Sequence, residues 1–434
     1  MNDKLNLHAA LAAATCALLG TSAGASDATT EKERWSFDSS LLYYGESDSR
    51  VQDISAAISA QRDFDDERVL SLNLTADTLT GASASGATAL DRVQTFTSPS
   101  GKATYSTPAR AVPLDDTFKD TRFALSGSWT QPLARLYTVS GGLGFSTEYD
   151  YTHLGANASL ARDFNKRNTT VSVGVAYSQD DIKPVGGAPI PFAQMQDVGD
   201  LSNKRGDDSK DVLDLLFGVT QVLGRNTVLR VNYSYSDSSG YLNDPYKLLS
   251  VVDPATGDTV VRLAAGGRGP NGVYRYESRP DSRTKQGVYA ELKHAFGAPV
   301  MHLSYRFMTD DWGIDSNTLE AKLRWPVGAD SFIEPQLRYY TQNEADFYRS
   351  SLVAGQPLPD YASADFRLGN FDAVTFGVKF GHRTVAGNEW STRVEYYQQS
   401  GDVPSEQIVG NQARREQYPD LSAVIVQFGY RFGI

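Results

Sequence analysis

Few side chains of this sequence could perform catalysis or bind a metal. The 434 residues include one cysteine, Cys16, and five histidines, of which His153, His294, His302 and His382 follow residue 25. None of these histidines belongs to an H-E-x-x-H zinc motif, and no G-x-S-x-G nucleophile elbow occurs beyond residue 25. The single cysteine excludes a disulfide framework and sites built from several cysteine ligands. We therefore predict no catalytic residues, no cofactor-binding residues and no metal ligands, and expect that the protein is not an enzyme.

One combination of residue types still resembles a water-activating site. His302 shares a predicted hairpin with Asp310 and Asp311, and outer-membrane proteases use an Asp/His site of this kind. Eight residues of extended strand separate His302 from Asp310, which is about 26 Å. We therefore expect no direct contact, and we interpret these residues as a polar lumen position and a solvated turn.

One predicted long loop is strongly acidic. Such a loop could bind calcium or lipopolysaccharide bridged by divalent cations. The spacing of an EF-hand is absent, which favours a solvated acidic loop. The polar residues concerned are Asp197, Asp200, Asn203, Asp207, Asp208 and Asp211.

Charged residues recur at alternate positions in the later part of the chain. They alternate with apolar residues, so if the apolar positions face lipid, the charged ones line a lumen. Basic residues outnumber acidic ones in this set, and the surplus acid is predicted in loops, as at Asp180, Asp181, Asp207, Asp208, Asp310 and Asp311. The predicted wall comprises Arg230, Lys285, Glu291, Lys293, Arg306, Glu320, Lys322, Arg324, Glu334, Arg338, Lys379, Arg393, Glu395 and Arg431.

This charged wall has two interpretations. The side chains could form a web of salt bridges that stiffens a closed barrel. Alternatively, their basic excess could favour anions in a water-filled pore. The earlier segments place small residues such as Ser126, Gly144 and Gly155 at the corresponding inward positions.

A two-residue period defines the elements that would position these side chains. Val171, Val173 and Val175 alternate with small residues, and Val426 and Phe428 belong to a similar pattern near the C-terminus. Alternation of this kind predicts strands with one apolar face. Each segment has about ten residues, which is the length that a tilted strand needs to cross a bilayer.

The connections between these segments alternate between short and mostly long. Short turns at one end and long loops at the other are typical of outer-membrane barrels. The sequence thus predicts an all-β, transmembrane antiparallel β-barrel of about sixteen strands, with short periplasmic turns and long extracellular loops. The short joints are residues 63–67, 131–135, 165–168, 223–226, 296–299, 326–330 and 385–389, and the long joints are 79–120, 179–209, 237–282, 343–369 and 400–420.

Aromatic residues near both ends of the predicted strands suit two membrane interfaces. Trp325 lies near a short turn and Trp312 near a long loop. Their rings combine an apolar body with a polar edge, which favours the boundary between lipid and water. The C-terminal residues 428–432 also resemble the signal that the outer-membrane barrel assembly machinery recognises.

The N-terminus has the pattern of a secretory signal. Lys4 precedes an apolar, alanine-rich stretch, and the small residues Ala23, Gly24 and Ala25 suit a cleavage site. We predict a signal peptide at residues 1–25 and an exported barrel at residues 26–434, with strands over about residues 35–432.

Composition excludes several other classes of protein. The formal net charge of −11 argues against nucleic acid as a partner. No apolar run reaches 18 residues, which excludes a helical membrane protein, and the aromatic content of 11% argues against disorder. A soluble exported β-sandwich adhesin remains as a rival interpretation.

Several segments also resemble a known bacterial family. They are residues 12–20, 75–83, 114–122, 277–283, 310–314 and 345–348, which together sample nearly the whole chain. On these segments the sequence resembles the DUF3570 family. The resemblance implies an outer-membrane barrel and brings no catalytic residues. It also implies a setting among small lipoproteins, thioredoxin-like proteins and flavin-attaching enzymes of the cell envelope.

These observations lead to one expectation with several alternatives. We expect a bacterial outer-membrane barrel without cofactors, which acts either as a pore that favours anions or as the membrane platform of an envelope complex. A barrel enzyme and a barrel component of a redox or flavin-linked envelope system are the alternatives. The expected partners are outer-membrane lipid, lipopolysaccharide, the barrel assembly machinery and envelope lipoproteins, and no nucleic acid.

Overall fold

The structure is a computed structural model that describes residues 34–47, 50–64 and 66–434. The predicted signal peptide, residues 1–25, lies outside these described residues. No helix in the described part of the chain combines the length and apolar composition that a membrane crossing requires.

Within the described residues, sixteen antiparallel strands form one closed barrel. Each strand pairs with its neighbours in the chain, and the first and last strands pair to close the sheet. This confirms the predicted fold class. The strands are β1 (Arg34–Glu46), β2 (Gln52–Asp63), β3 (Val69–Ala84), β4 (Leu114–Ala134), β5 (Tyr137–Thr147), β6 (Tyr151–Phe164), β7 (Thr169–Ile182), β8 (Asp208–Gly224), β9 (Thr227–Gly240), β10 (Ser282–Ala295), β11 (Val300–Asp310), β12 (Asp315–Val327), β13 (Ser331–Gln342), β14 (Asn370–Arg383), β15 (Glu389–Asp402) and β16 (Leu421–Gly433).

The outer face of the barrel is apolar because side chains alternate along each strand. On β7, Val173, Val175 and Tyr177 are exposed, whereas Ser178 and Asp180 are buried. The same alternation occurs on β16, where Val426 and Phe428 are exposed. The result is a broad exposed apolar surface, of the kind that lipid covers in membrane barrels.

Connections segregate by length between the two ends of the barrel. Short turns at the predicted joints connect the strands at one end, while the other end carries the long loops 85–113, 183–207, 241–281, 343–369 and 403–420. Further connections at this long-loop end are short, at residues 47–51, 148–150 and 311–314. The predicted segregation of turns and loops is confirmed.

The long loops pack against one another into a cap, whose centre is the loop 241–281. In this loop the strand Leu248–Val252 pairs with Tyr274–Tyr276 and, in parallel, with Leu352–Val353 of the loop 343–369. Leu249 and Tyr274 are fully buried, as is Phe96 of the loop 85–113. The cap therefore has a hydrophobic core of its own, outside the barrel wall.

Backbone hydrogen bonds join the central loop to loops from all around the barrel. The backbone amide of Leu248 donates to the carbonyl oxygen of Ser85 at 2.8 Å. The amide of Met195 donates to the carbonyl of Tyr274 at 2.9 Å, and the amide of Asn411 donates to the carbonyl of Thr256 at 2.8 Å. The loops concerned leave the barrel at β3–β4, β7–β8, β9–β10 and β15–β16, which are spread around the closed strand order. The cap consequently crosses the mouth of the barrel.

Several sequence-based assignments are wrong in this region, among them those of Asp181 and Asp208, which were predicted in loops and lie on β7 and β8. Trp312, predicted at a membrane interface, is 3% exposed and packs edge-on against Phe347 in the cap. Asp180 and Asp310, predicted in loops, lie on β7 and β11, where their side chains are 4% and 0% exposed. Each of these carboxylates is held by basic side chains, which is how a barrel tolerates a buried acid.

Candidate functional site

A cavity of about 850 Å³ lies inside the barrel beneath the cap. Inward residues of β3 to β9 form its wall, and residues 241–247 and 365–368 of the cap form part of its roof. We call this cavity the chamber. On β3 to β6 many inward positions carry small side chains, as the sequence predicted, and these leave space for the chamber.

The small residues of the chamber wall are aligned across neighbouring strands. Ser126, Gly144, Gly155 and Ser178 lie directly opposite one another on β4, β5, β6 and β7. Directly opposed residues of antiparallel strands share a face. This row of small residues leaves open space where other rows would place bulky side chains.

The predicted charged wall lies mainly on the later strands, where many of its members are joined by ion pairs. Arg393 contacts Glu334 at 3.5 Å and Glu395 at 3.4 Å, and Glu291 contacts Lys293 at 3.2 Å and Arg230 at 3.9 Å. Lys322 contacts Glu320 at 2.6 Å. These contacts favour the interpretation of the wall as a web of salt bridges.

The other members of the wall have varied surroundings. Arg324 and Arg431 pair with Glu389 and Asp38, which were not among the predicted wall residues. Arg306 and Lys379 stand over aromatic rings, Arg338 lies opposite Glu320, and Lys285 lines the chamber. The structure thus distributes these residues around the lumen, and no single cluster contains them all.

A histidine–carboxylate pair on the chamber wall was missed by the sequence analysis. His153 Nδ1 lies 2.6 Å from Asp180 Oδ1, and Lys210 Nζ lies 3.5 Å from Asp180 Oδ2. The hydroxyl of Tyr151 also donates to Asp180. The signal was present in the sequence, because the turn at residues 165–168 sets a register in which His153 faces Asp180.

The other histidines have structural partners. His302 Nδ1 lies 3.7 Å from Glu291 Oε1, whereas Asp310 pairs with Arg283 at 2.5 Å. The imagined site of His302 with Asp310 is therefore not formed. His294 and His382 contact the hydroxyls of Thr227 and Ser331 at the short-turn end.

Three carboxyl groups meet at the rim of the chamber. One oxygen each of Asp120, Glu148 and Asp150 lies within 4.8 Å of the others, a spacing that could hold a divalent cation. Burial, followed by the neighbouring Asp120, raises the pKa of Glu148 to about 8. Burial also raises the pKa of Asp150, which accepts a hydrogen bond from Tyr246 of the cap.

The acidic loop singled out in the sequence does not gather its carboxylates in this way. Asp197 pairs with Arg262, Asp208 pairs with Arg205 at 2.5 Å, and Asp211 accepts from the hydroxyl of Tyr177 at 2.6 Å. These separate partners give each of the three its own interaction. Asp208 and Asp211 lie on β8, so the prediction of a solvated acidic loop is wrong for these two residues.

We expect Glu148→Gln to reduce the loss of stability at alkaline pH. Folding raises the pKa of this carboxyl from 4.5 to about 8, so the protonated form is favoured in the folded state. Stability is therefore fully present below about pH 4.5 and declines as the pH rises through 8. Thermal unfolding in detergent at pH 5 and pH 9 measures this difference, and about equal midpoint changes in variant and wild type would refute the assignment. Substitution of the exposed Glu416 by glutamine is the control.

A second cluster of charges connects two cap loops above the chamber. Arg279 Nε lies 2.6 Å from Glu277, and Arg279 Nη2 lies 2.8 Å from Asp365. Arg367 bonds both Asp365 and Asp244. We call these five residues the cap hub. Because Asp244, Glu277 and Arg279 belong to the loop 241–281 and the others to 343–369, the hub joins the two loops.

Burial shifts the pKa of Glu277 and of Arg367 in the cap hub. The side chains of Glu277, Arg279 and Asp365 are 1% exposed. Burial raises the pKa of Glu277 to about 7, although Arg279 opposes this shift, and it lowers the pKa of Arg367 to about 10. Ser363 also donates a hydrogen bond to Glu277. Every member therefore depends on its partners for compensation of its charge.

Comparison with solved structures finds similarity to a channel, an outer membrane protein and a receptor. At 8% identity the chain is similar to the CymD monoaromatic hydrocarbon channel, with a TM-score of 0.41 over 93% of this chain and 89% of that chain. At 8% identity it is similar to the outer membrane protein opdK from Pseudomonas aeruginosa, with a TM-score of 0.37 over 94% of this chain and 100% of that one. At 10% identity it is similar to the siderophore receptor PirA from Acinetobacter baumannii, with a TM-score of 0.39 over 86% of this chain, which spans 54% of PirA.

Sequence comparison identifies the family directly. No curated protein matches the sequence. The family described as "Protein of unknown function (DUF3570)" matches residues 8–432, which is nearly the whole chain. This match confirms the resemblance seen in the separate segments. The chain belongs to the DUF3570 family.

Proposed function

We propose that this protein is a gated pore of the bacterial outer membrane. Its apolar outer face would contact lipid, its long loops would face the outside of the cell, and its short turns would face the periplasm. The observation that carries the proposal is a packed cap across the mouth of the barrel, above a polar chamber of about 850 Å³. Closure by the cap separates the chamber from the outside until the cap moves.

The dimensions and lining of the chamber suit a small polar solute. Binding cavities for small molecules have volumes of about 300 to 1,000 Å³. Side chains of both charges line this chamber, among them Lys210, Lys285, Asp180 and Asp214. The later wall has ten basic and four acidic residues among the fourteen predicted members, so an open lumen would favour anions.

Removal of the centre of the cap tests the proposal. Leu248 pairs with Tyr276, so residues 249–275 can be replaced by a two-residue Asn-Gly turn that closes the remaining hairpin. In planar bilayers we expect little conductance from the wild type and a steady conductance from this variant. With a salt gradient, the reversal potential should show a preference for anions.

A small deletion in the same loop provides the control. Gly266 and Gly267 lie in the turn Ala265–Gly267, and an added Cβ on either would meet nothing within 4 Å. Deletion of this turn should leave the barrel closed. A folded variant without residues 249–275 that does not conduct would refute the pore, and a large steady conductance of the wild type would refute gating by the cap.

A further inference from the structure

The wall of the chamber holds a histidine whose orientation is fixed by a buried acid. Asp180 is hydrogen-bonded to His153 Nδ1 at 2.6 Å and accepts a hydrogen bond from the hydroxyl of Tyr151. It also forms an ion pair with the ammonium of Lys210 at 3.5 Å. A carboxylate accepts hydrogen bonds, so Nδ1 carries the proton that is shared with Asp180. This arrangement determines the tautomer of the ring and leaves Nε2 as the second functional nitrogen.

The Nε2 atom of His153 has no hydrogen-bond partner among the residues that the structure describes. The side chain is 27% exposed, and it lines the chamber. A polar atom at such a place favours a ligand that can complete its hydrogen bonding. With Nδ1 protonated, Nε2 is a hydrogen-bond acceptor. A phenolic hydroxyl is a suitable donor to it.

Beside His153 Nε2, the chamber wall exposes glycine backbone. Gly155 lies under the ring, and a Cβ at this position would come within 3.0 Å of His153 Nε2. Gly144 lies directly opposite Gly155, and a Cβ there would have only the Cβ of Ser126, at 4.0 Å, within reach. The imidazole therefore covers Gly155, and we call the open space over Gly144 beside it the glycine niche. A glycine lets a ligand approach the backbone closely, so an aromatic ring can lie against the wall at Gly144.

Metal binding does not explain the exposed nitrogen. A stable metal site needs several ligands that converge on one point. Among the described residues, the group of three or more potential ligands that converges is Asp120, Glu148 and Asp150, which does not include His153. An organic ligand that needs a single acceptor is the better fit.

We propose that the glycine niche binds a small phenol, with its hydroxyl on His153 Nε2 and its ring on Gly144. The hydroxyl donates a hydrogen bond to Nε2, and no covalent bond forms or breaks. Lys210 offsets the charge of Asp180 beside the bound phenol. The niche therefore deepens the proposed function, because it assigns a solute class to the chamber of the pore.

Equilibrium binding of 4-nitrophenol to the purified full-length barrel in detergent tests this inference. A shift in the absorbance of the bound 4-nitrophenol reports its hydrogen bond, and calorimetry reports the affinity. His153→Asn retains an amide donor for Asp180 but has no counterpart of Nε2, so we expect at least about tenfold weaker binding. Gly144→Ala places a methyl group in the niche, where the nearest atom is the Cβ of Ser126 at 4.0 Å, and should weaken binding to a similar extent without changing the His153–Asp180 pair.

Two controls separate the niche from unspecific binding. His302→Asn changes another inward histidine, which contacts Glu291, and should leave the affinity unchanged. Nitrobenzene lacks the hydroxyl and should bind at least about tenfold more weakly than 4-nitrophenol. Absence of saturable binding to the wild type, or equal affinities of the His153 and His302 variants, would overturn the inference. The measurement involves no conductance, so it can fail while the pore is upheld, and the reverse also holds.

Discussion

Replacement of Arg279 by methionine is expected to open the barrel while its wall remains folded. Arg279 bonds both Glu277 and Asp365, and all three side chains are almost completely buried in the cap hub. Methionine fills much of the same volume but leaves two carboxylates with reduced compensation. Loss of one partner from a buried charge cluster costs about 3 to 5 kcal/mol.

We expect the lost stability to affect the cap and not the barrel wall, because the hub joins two cap loops and contains no residue of a barrel strand. The barrel wall retains its closed ladder of hydrogen-bonded strands, which does not depend on Arg279. We expect the variant to conduct in planar bilayers more often than the wild type, and its loops 241–281 and 343–369 to become sensitive to protease. The heat-dependent migration of the folded barrel in electrophoresis should be retained.

Arg110 offers a matched control for this experiment. It also bonds a carboxylate of the cap region, Asp91, at 2.9 Å, but its side chain is 81% exposed. Exposed ion pairs contribute little to stability because water screens them, so Arg110→Met should leave the lumen closed. A closed, protease-resistant Arg279→Met barrel would show that the cap hub does not hold the cap in place.

The barrel could be predicted from the sequence because its determinants are local. Alternation along β7 or β16 follows directly from the two-residue period, and turn residues mark the ends of the strands. Register is nearly as local, since the length of the turn at residues 165–168 fixes which residues of β6 and β7 face each other. The contact between His153 and Asp180 could therefore have been predicted from the strand register. Knowing only that both side chains face inward was not enough to suggest it.

The cap could not be predicted because its contacts join distant parts of the chain. The strand Leu248–Val252 pairs with Leu352–Val353, about a hundred residues away, without any periodic signal. Trp312 was misplaced for the same reason, since a tryptophan near a strand end suits a membrane interface and a loop core equally well. The inward position of the charged wall followed from parity, whereas contacts such as Arg393 with Glu334 depend on side-chain conformation.

Two adjacent residues of β7 provide the most direct test of which face meets lipid. Val175 lies near the middle of the strand and is exposed on the outer face, whereas the next residue, Ala176, lines the chamber. An arginine at the middle of a lipid-facing strand costs about 2 to 4 kcal/mol, because its charge must leave water for hydrocarbon. We therefore expect Val175→Arg to lower the free energy of unfolding in lipid vesicles by this amount.

The same substitution one residue later should have little effect. Ala176 lies directly opposite Asp214, so an arginine at this position gains a carboxylate partner and remains in the polar chamber. Denaturant titration of both variants in the same vesicles gives the comparison, with tryptophan fluorescence as the signal. A destabilisation of Ala176→Arg as large as that of Val175→Arg would mean that the two faces are assigned wrongly, and the chamber, the glycine niche and the pore would fall with that assignment. A large destabilisation by Val175→Arg with a small one by Ala176→Arg requires that neighbouring side chains of one strand face different surroundings, lipid on one side and water on the other. A closed sheet around a polar interior provides this arrangement.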